Sequence, residues 1–210
     1  MTVEDEVLVP LREAASQGGD LRERVRDLVL RALVERKADP KAMREVMKSA
    51  VEGLGQGLGE HADNAGEAVR SAVTGLDEAM GKGLYALQAA VEESWGNGRQ
   101  FADADLRDAY DAIRGLDDDL VGTLKEASGK TKGVVKDEFA RLSEHLGRNG
   151  SDTGAQVKSV ISALSRDLGL AASDAGRTLG KDAREAAGRL SAVTSGILRG
   201  LADALDGRKP

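Results

Sequence analysis

Glycine stands at every second position from Gly53 to Gly59 in the stretch GLGQGLGEHADNAG, residues 53–66. Within it, Gly57-x-Gly59-x-x-Ala62 has the spacing of a loop that cradles a dinucleotide pyrophosphate. That chemistry needs a β-strand immediately before the loop, and AMREVMKSAVE (residues 42–52) precedes it with helical spacing instead. A second phosphate-loop fragment, Gly129-Lys130-Thr131, needs a glycine five positions earlier, where Leu124 stands; Gly122 makes the loop two residues too long. His61 and His145 each follow a glutamate. On a helical hairpin turning near Asn97 they lie about 18 Å apart along the axis, too far to share a metal ion. Asp117-Asp118-Asp119 has the charge for a cation but not the spaced positions of a calcium loop, and reads as a solvated helix face. Two isolated histidines and no cysteine form no nucleophile–base arrangement. The sequence therefore predicts no enzyme, with no catalytic, cofactor-binding or metal-binding residue.

The elements that hold these residues are set by an unusual composition. Aromatic residues make up 2% of the 210 residues, against 26 glycines and only 3 prolines. The large side chains that dominate most cores are nearly missing, and the dominant Ala, Leu, Val, Arg and Asp favour helix over strand. A net charge of −6 and a pI of about 5.1 argue against nucleic acid as a partner, because a phosphate backbone calls for a basic face. No run of about 18 apolar residues is present, so no transmembrane segment is expected. The N-terminus, MTVEDEVLVPLREAA, has neither a basic region nor a long apolar run, so it does not read as a signal peptide. Together with the lack of cysteine this leads to an expected cytoplasmic location.

The strongest pattern is an apolar frame that advances in steps of 3, 4 and 4 residues. From Val51 it passes through Leu54, Leu58, Ala62, Ala65, Val69, Val73, Leu76, Met80, Leu84, Leu87, Val91 and Trp95 without a polar residue. It continues through Leu106, Ile113, Leu120, Leu124, Val135, Phe139, Leu142, Leu146, Val157, Ile161, Leu164, Leu168, Leu179, Leu190, Ile197, Leu201 and Leu205. Of its 43 positions, 36 are apolar; the exceptions are Gly98, Asp117, Ser128, Thr131, Gly150, Thr153 and Thr194. An eleven-residue repeat gives about 3.67 residues per turn, close to a straight helix, and is not the heptad of a leucine zipper. The skeleton of LGEHADNAGEAV at Leu58 returns 110 residues later as LGLAASDAGRTL at Leu168, a span of ten repeats.

Breaks in composition divide this frame. Asp39-Pro40 reads as an N-cap and first helical residue, WGNGRQ (residues 95–100) as a turn, and GRNGSDTG (residues 147–154) as the sharpest break, with Ser151 or Asp152 as the next cap. The fold class is all-α. Helices are expected over about 40–94, 99–146 and 152–206, forming either a three-helix up-down-up bundle or an unrolled amphipathic ribbon. Residues 1–38 read as two shorter amphipathic helices, 4–16 and 20–36, and residues 207–210 as a disordered tail.

Small residues border the stripe. One edge carries Gly55, Gly66, Asp77 and Gln88, the other His61, Ala72, Gly83 and Ser94. Lys and Arg are not concentrated there, as they are in a helix that snorkels into lipid. Gly55-x-x-x-Gly59, Gly176-x-x-x-Gly180 and Gly196-x-x-x-Gly200 point to close helix packing. Each helical glycine costs roughly 0.8–1 kcal/mol relative to alanine, so the first long helix should depend for its order on a partner helix, self-association or an apolar surface.

In its eleven-residue amphipathic periodicity, with glycine-containing turns over about residues 40–205, the sequence resembles the exchangeable apolipoproteins and perilipin-type droplet coats. Among bacterial proteins it is similar to the phasins, which coat polyhydroxyalkanoate granules. The resemblance is one of periodicity and composition, and it implies a non-enzymatic protein that coats or organises an apolar granule or lipid surface. The pattern is also similar to the late-embryogenesis-abundant stress protectants, although those are richer in lysine and lack so strong a Leu/Val stripe. A self-contained helical scaffold or protein-interaction module is the alternative reading.

Overall fold

Every regular element is helical in the computed structural model, which describes residues 4–17, 19–36, 39–58, 64–96 and 103–167; no strand occurs among them. A π-helical turn, Glu4–Leu8, leads into α1 (Val9–Gln17) and α2 (Leu21–Glu35). They are followed by α3 (Pro40–Leu58), α4 (Ala65–Gly96), α5 (Asp103–Ile113), α6 (Leu116–Lys130), α7 (Gly133–Asn149) and α8 (Asp152–Asp167).

The helix starts follow side-chain capping. Asp20 accepts the Glu23 N–H, and the Asp39 carboxylate accepts the N–H groups of Lys41 and Ala42, both at 2.9 Å. Ser151 Oγ accepts the Gly154 N–H at 2.8 Å, so serine is the residue that caps α8. The turns into α7 and α8 use left-handed backbone at Gly133 (φ 58°) and Gly150 (φ 84°), which a side chain would strain.

The expected helix over 99–146 is in fact three helices. It breaks at Arg114-Gly115 and again at Thr131-Lys132, where Thr131 turns to extended backbone. The polar frame residues Ser128 and Thr131 sit at the second break, where the stripe offers least burial to a continuing helix. Within the expected helix over 40–94, α3 is described to Leu58, Asn64 is a turn and α4 begins at Ala65; residues 59–63 lie outside the described residues. The expected third helix is present as α8 through Asp167; its remainder, with Leu168, Leu179, Leu190, Ile197, Leu201 and Leu205, lies outside the described residues. So do the repeat of the Leu58 skeleton, Gly59 and His61, and the paired glycines at 176/180 and 196/200.

Helix α4 is the centre of the fold. It packs against α2, α3, α7 and α8. Its frame residues Val69, Val73, Leu76, Met80 and Leu84 are buried, and so are Ala72, Ala79, Ala86 and Ala90 on a second face. A helix surrounded on several sides is apolar on several sides. Residues 1–38 are not a separate layer, because Val7, Leu11, Val25, Val29 and Leu33 belong to the same apolar cluster as the α3 and α4 stripes.

The N-terminal helices approach α3 and α4 through glycine. A Cβ added to Gly53 would lie 2.5 Å from the Leu8 carbonyl oxygen; at Gly57 it would strike the Arg12 carbonyl, and at Gly75 the Arg22 carbonyl. Leu8 and Arg12 are four residues apart, as are Gly53 and Gly57, so two helical turns mesh backbone to backbone. Each glycine Cα–H is thereby directed at a carbonyl oxygen. Gly55, in contrast, faces the side chains of Thr131 and Phe139. The alternating glycines at 53–57 thus serve two different contacts.

This geometry separates glycines that sequence alone treats alike. Gly57→Ala should lower the melting temperature, since a methyl group meets rigid backbone at an overpacking cost of about 1–3 kcal/mol. Gly122→Ala, at a mid-helix position of α6 with open space around it, should raise stability by about 0.5–1 kcal/mol. Thermal melts of the two variants check the contrast, and a stabilised Gly57→Ala protein would show that the close seam is not formed.

Candidate functional site

The apolar stripe is the first candidate, and in this structure it faces inward. Val51, Leu54, Leu58, Val69, Val73, Leu76, Met80, Leu84, Leu87, Val91, Ile113, Leu120, Leu124, Val135, Phe139, Val157 and Leu164 are buried. Leu142, Leu146 and Ile161 are half-buried against the same cluster. Trp95 and Leu106 lie on α4 and α5. Large apolar side chains that remain exposed include Tyr85 and Val134.

The polar exceptions to the frame are not scattered. Asp117 and Thr153, two of the seven, meet Asp77 and Ser151 where α4, α6 and the start of α8 converge. Asp77 accepts three hydrogen bonds through its carboxylate: the Asp152 N–H at 2.9 Å, the Thr153 N–H at 2.9 Å and the Thr153 hydroxyl at 2.7 Å. Thr153 is fully buried and Asp77 nearly so. The Ser151 hydroxyl donates to Asp117, whose carboxylate lies where a Cβ on Gly154 would stand. A carboxylate from another helix thus caps α8, satisfying N–H groups that have no partner within their own helix and opposing the positive end of its dipole.

The acidic run 117–119 is therefore not simply a solvated face. Asp117 holds the α7–α8 turn and Asp119 pairs with Arg44 of α3, leaving Asp118 exposed. Neither Asp77 nor Thr153 stood out in the sequence. The signal was available in the two polar lapses of an apolar frame 36 residues apart, but nothing in the sequence indicated that both would meet at the start of α8, Thr153 on Asp77 and Asp117 on Ser151.

Other charged contacts tie helices together. Arg70 of α4 reaches Glu138 of α7 at 2.9 Å, and Arg141 reaches the second oxygen of the same largely buried carboxylate at 3.4 Å. Arg22 of α2 pairs with Glu78 of α4, whose hydrogen bond and charge hold the guanidinium above its ordinary pKa. Arg36 pairs with Glu6 across the N-terminal segment.

An open groove of about 460 Å³ runs between α3 and α6, with Val51, Gly55 and Ala127 on its floor and Lys48, Glu52, Glu126 and Lys130 on its rims. Lys130 and Glu126 bond across one turn at 2.7 Å; the contact holds the Glu126 carboxyl below its usual range and raises Lys130. The Gly129-Lys130-Thr131 fragment closes α6 rather than opening a helix after a strand, so no phosphate loop forms there. His145 is exposed and bonded to Asn149.

The family of unknown function DUF6781 matches residues 3–207. The chain belongs to this family. No curated protein and no solved structure matches it. The DUF6781 span takes in α1 and α2 together with the whole apolar frame, and the described part of that frame shares one core with these two helices. No described helix of this DUF6781 chain is long and apolar enough to cross a membrane.

Two substitutions calibrate the polar contacts. Asp77→Ala leaves the buried Thr153 N–H and hydroxyl and the part-buried Asp152 N–H without their acceptor and should cost roughly 2–4 kcal/mol in denaturant unfolding. Lys130→Ala removes an exposed pair and should leave the midpoint nearly unchanged. Because the Glu126 carboxyl is depressed in the folded state, whatever that pair contributes is present above the ordinary carboxyl range. It is lost as pH falls through the depressed value.

Proposed function

We propose that this chain is a non-enzymatic amphipathic helical protein whose bundle, closed in water, opens to lay its eleven-residue stripe on an apolar surface such as a lipid droplet or polymer granule. One observation carries the reading. The 3-4-4 frame keeps its phase through three turns, at 114–115, 131–132 and 150–151, even though the chain changes direction there. A closed bundle has no need of that, because each helix can present its own apolar face at any phase. A single continuous apolar face on an opened chain does require it. The core also suits exchange: it is built of Leu, Val, Ala and Met, with Phe139 its one fully buried phenylalanine among the described residues. Each Å² of stripe that moves from the bundle to an apolar phase keeps its burial, worth about 25 cal/mol.

Flotation with triglyceride emulsions and sedimentation with polyhydroxybutyrate particles test the proposal, with Trp95 as the single tryptophan reporter. Binding is expected with a blue-shifted Trp95 emission and retained or increased helicity. No co-migration with either particle, together with unchanged emission, would refute it.

The burial of the stripe favours a second reading, a permanently closed helical module for protein interaction. That reading predicts a cooperative melt that particles do not alter, and a fixed stoichiometry in solution.

A further inference from the structure

The Asp77 node points beyond surface binding to its control. We infer that the cap on α8 is a latch, and that its release is the first step in opening the bundle; the inference rests on the surface reading above.

The seams of this fold differ in kind. Where the N-terminal segment meets α3 and α2 meets α4, helices mesh mainly through glycine and apolar side chains, with carbonyl oxygens against Gly53, Gly57 and Gly75 and the Arg22–Glu78 ion pair as the charged contact of α2 with α4. At α4–α8 the N-terminus of the helix is held by a carboxylate that accepts three hydrogen bonds from residues 75 and 76 positions away. Hydrogen bonds of that kind are directional, so a small displacement of α8 breaks all three together, whereas apolar contacts yield gradually. The second carboxylate, Asp117 on Ser151, fixes the turn at the same point.

The frame explains why the polar residues are placed there. Thr153 occupies a stripe position that the repeat otherwise fills with an apolar side chain, and on an opened chain it contributes little to adsorption. Asp77 occupies a border position and returns to water when α8 leaves. The node is satisfied in the closed state and adds no apolar area to the open one. It therefore biases the protein toward closure until a surface competes for the stripe. Beyond the latch, α8 meets α4, α5 and α6 and joins the shared apolar cluster through Val157, Val160 and Leu164, so its departure opens that cluster away from the contacts of Gly53 and Gly57 with Leu8 and Arg12.

Hydrogen exchange on the full chain, measured beside emulsion partitioning, tests this for Asp77→Asn and Thr153→Val, with Asp118→Asn as an exposed control. The asparagine substitution keeps the size of the side chain but loses the charge and one acceptor oxygen. The valine substitution keeps the frame apolar and removes one hydroxyl donor. The latch predicts exchange at least 10-fold faster across residues 152–167 in both variants, with residues 9–17 and 40–58 unchanged, and an emulsion partition raised at least 3-fold. Equal acceleration in all helices, or none in α8, would overturn the latch. Selective opening of α8 with no binding of any variant to the emulsion would instead leave a release point in α8 and overturn the surface reading on which its function rests.

Discussion

The structure depends on close approach between helices that carry few large side chains. With aromatic residues at 2% of the chain, a core cannot be filled by a handful of wide rings. It has to be closed by aliphatic stripes brought near one another, and dispersion contacts between such side chains fade within an ångström of separation. Glycine and alanine on α3 and α4 supply that nearness. Gly53, Gly57 and Gly75 let backbone meet backbone, and Ala72, Ala79, Ala86 and Ala90 allow α4 to be covered on more than one side. The helix-weakening residues are the ones that make tertiary packing possible. Local propensity and global packing oppose each other in this chain, and packing prevails.

That compromise gives the bundle its character. Its helices are too rich in glycine to be strong alone, and its core is too uniform to lock through shape. Directional contacts therefore carry the specificity. Glu138 is gripped by Arg70 and Arg141, Asp119 pairs with Arg44, and Asp77 caps α8.

Much of the fold was legible because helical periodicity is local. The caps at Asp39 and Ser151 and the short N-terminal helices follow from residue types within one or two turns, and each is present; most of the turn expected at 95–100 lies outside the described residues. The expected uninterrupted helix over 99–146 is not present, because Gly115 reads as a tolerable glycine off the stripe and Ser128 and Thr131 as tolerable lapses within it. Whether a lapse becomes a turn depends on whether the chain on its far side finds a better place to bury itself. Leu120 and Val135 find that place against the α3–α4 body.

The sequence by itself determined the all-α class and, among the described residues, most of the stripe that leaves water. These follow from composition and from a period that neighbouring residues enforce on one another. Only the tertiary structure decided what the stripe is buried against, which of the alternating glycines in GLGQGLG touch backbone, and that Asp77, Asp117, Ser151 and Thr153 form one node. Those outcomes join residues 34 to 76 positions apart, and a one-dimensional pattern carries no term for which distant carbonyl or carboxylate will arrive at a given face. That choice is made when the helices compete for the same apolar area.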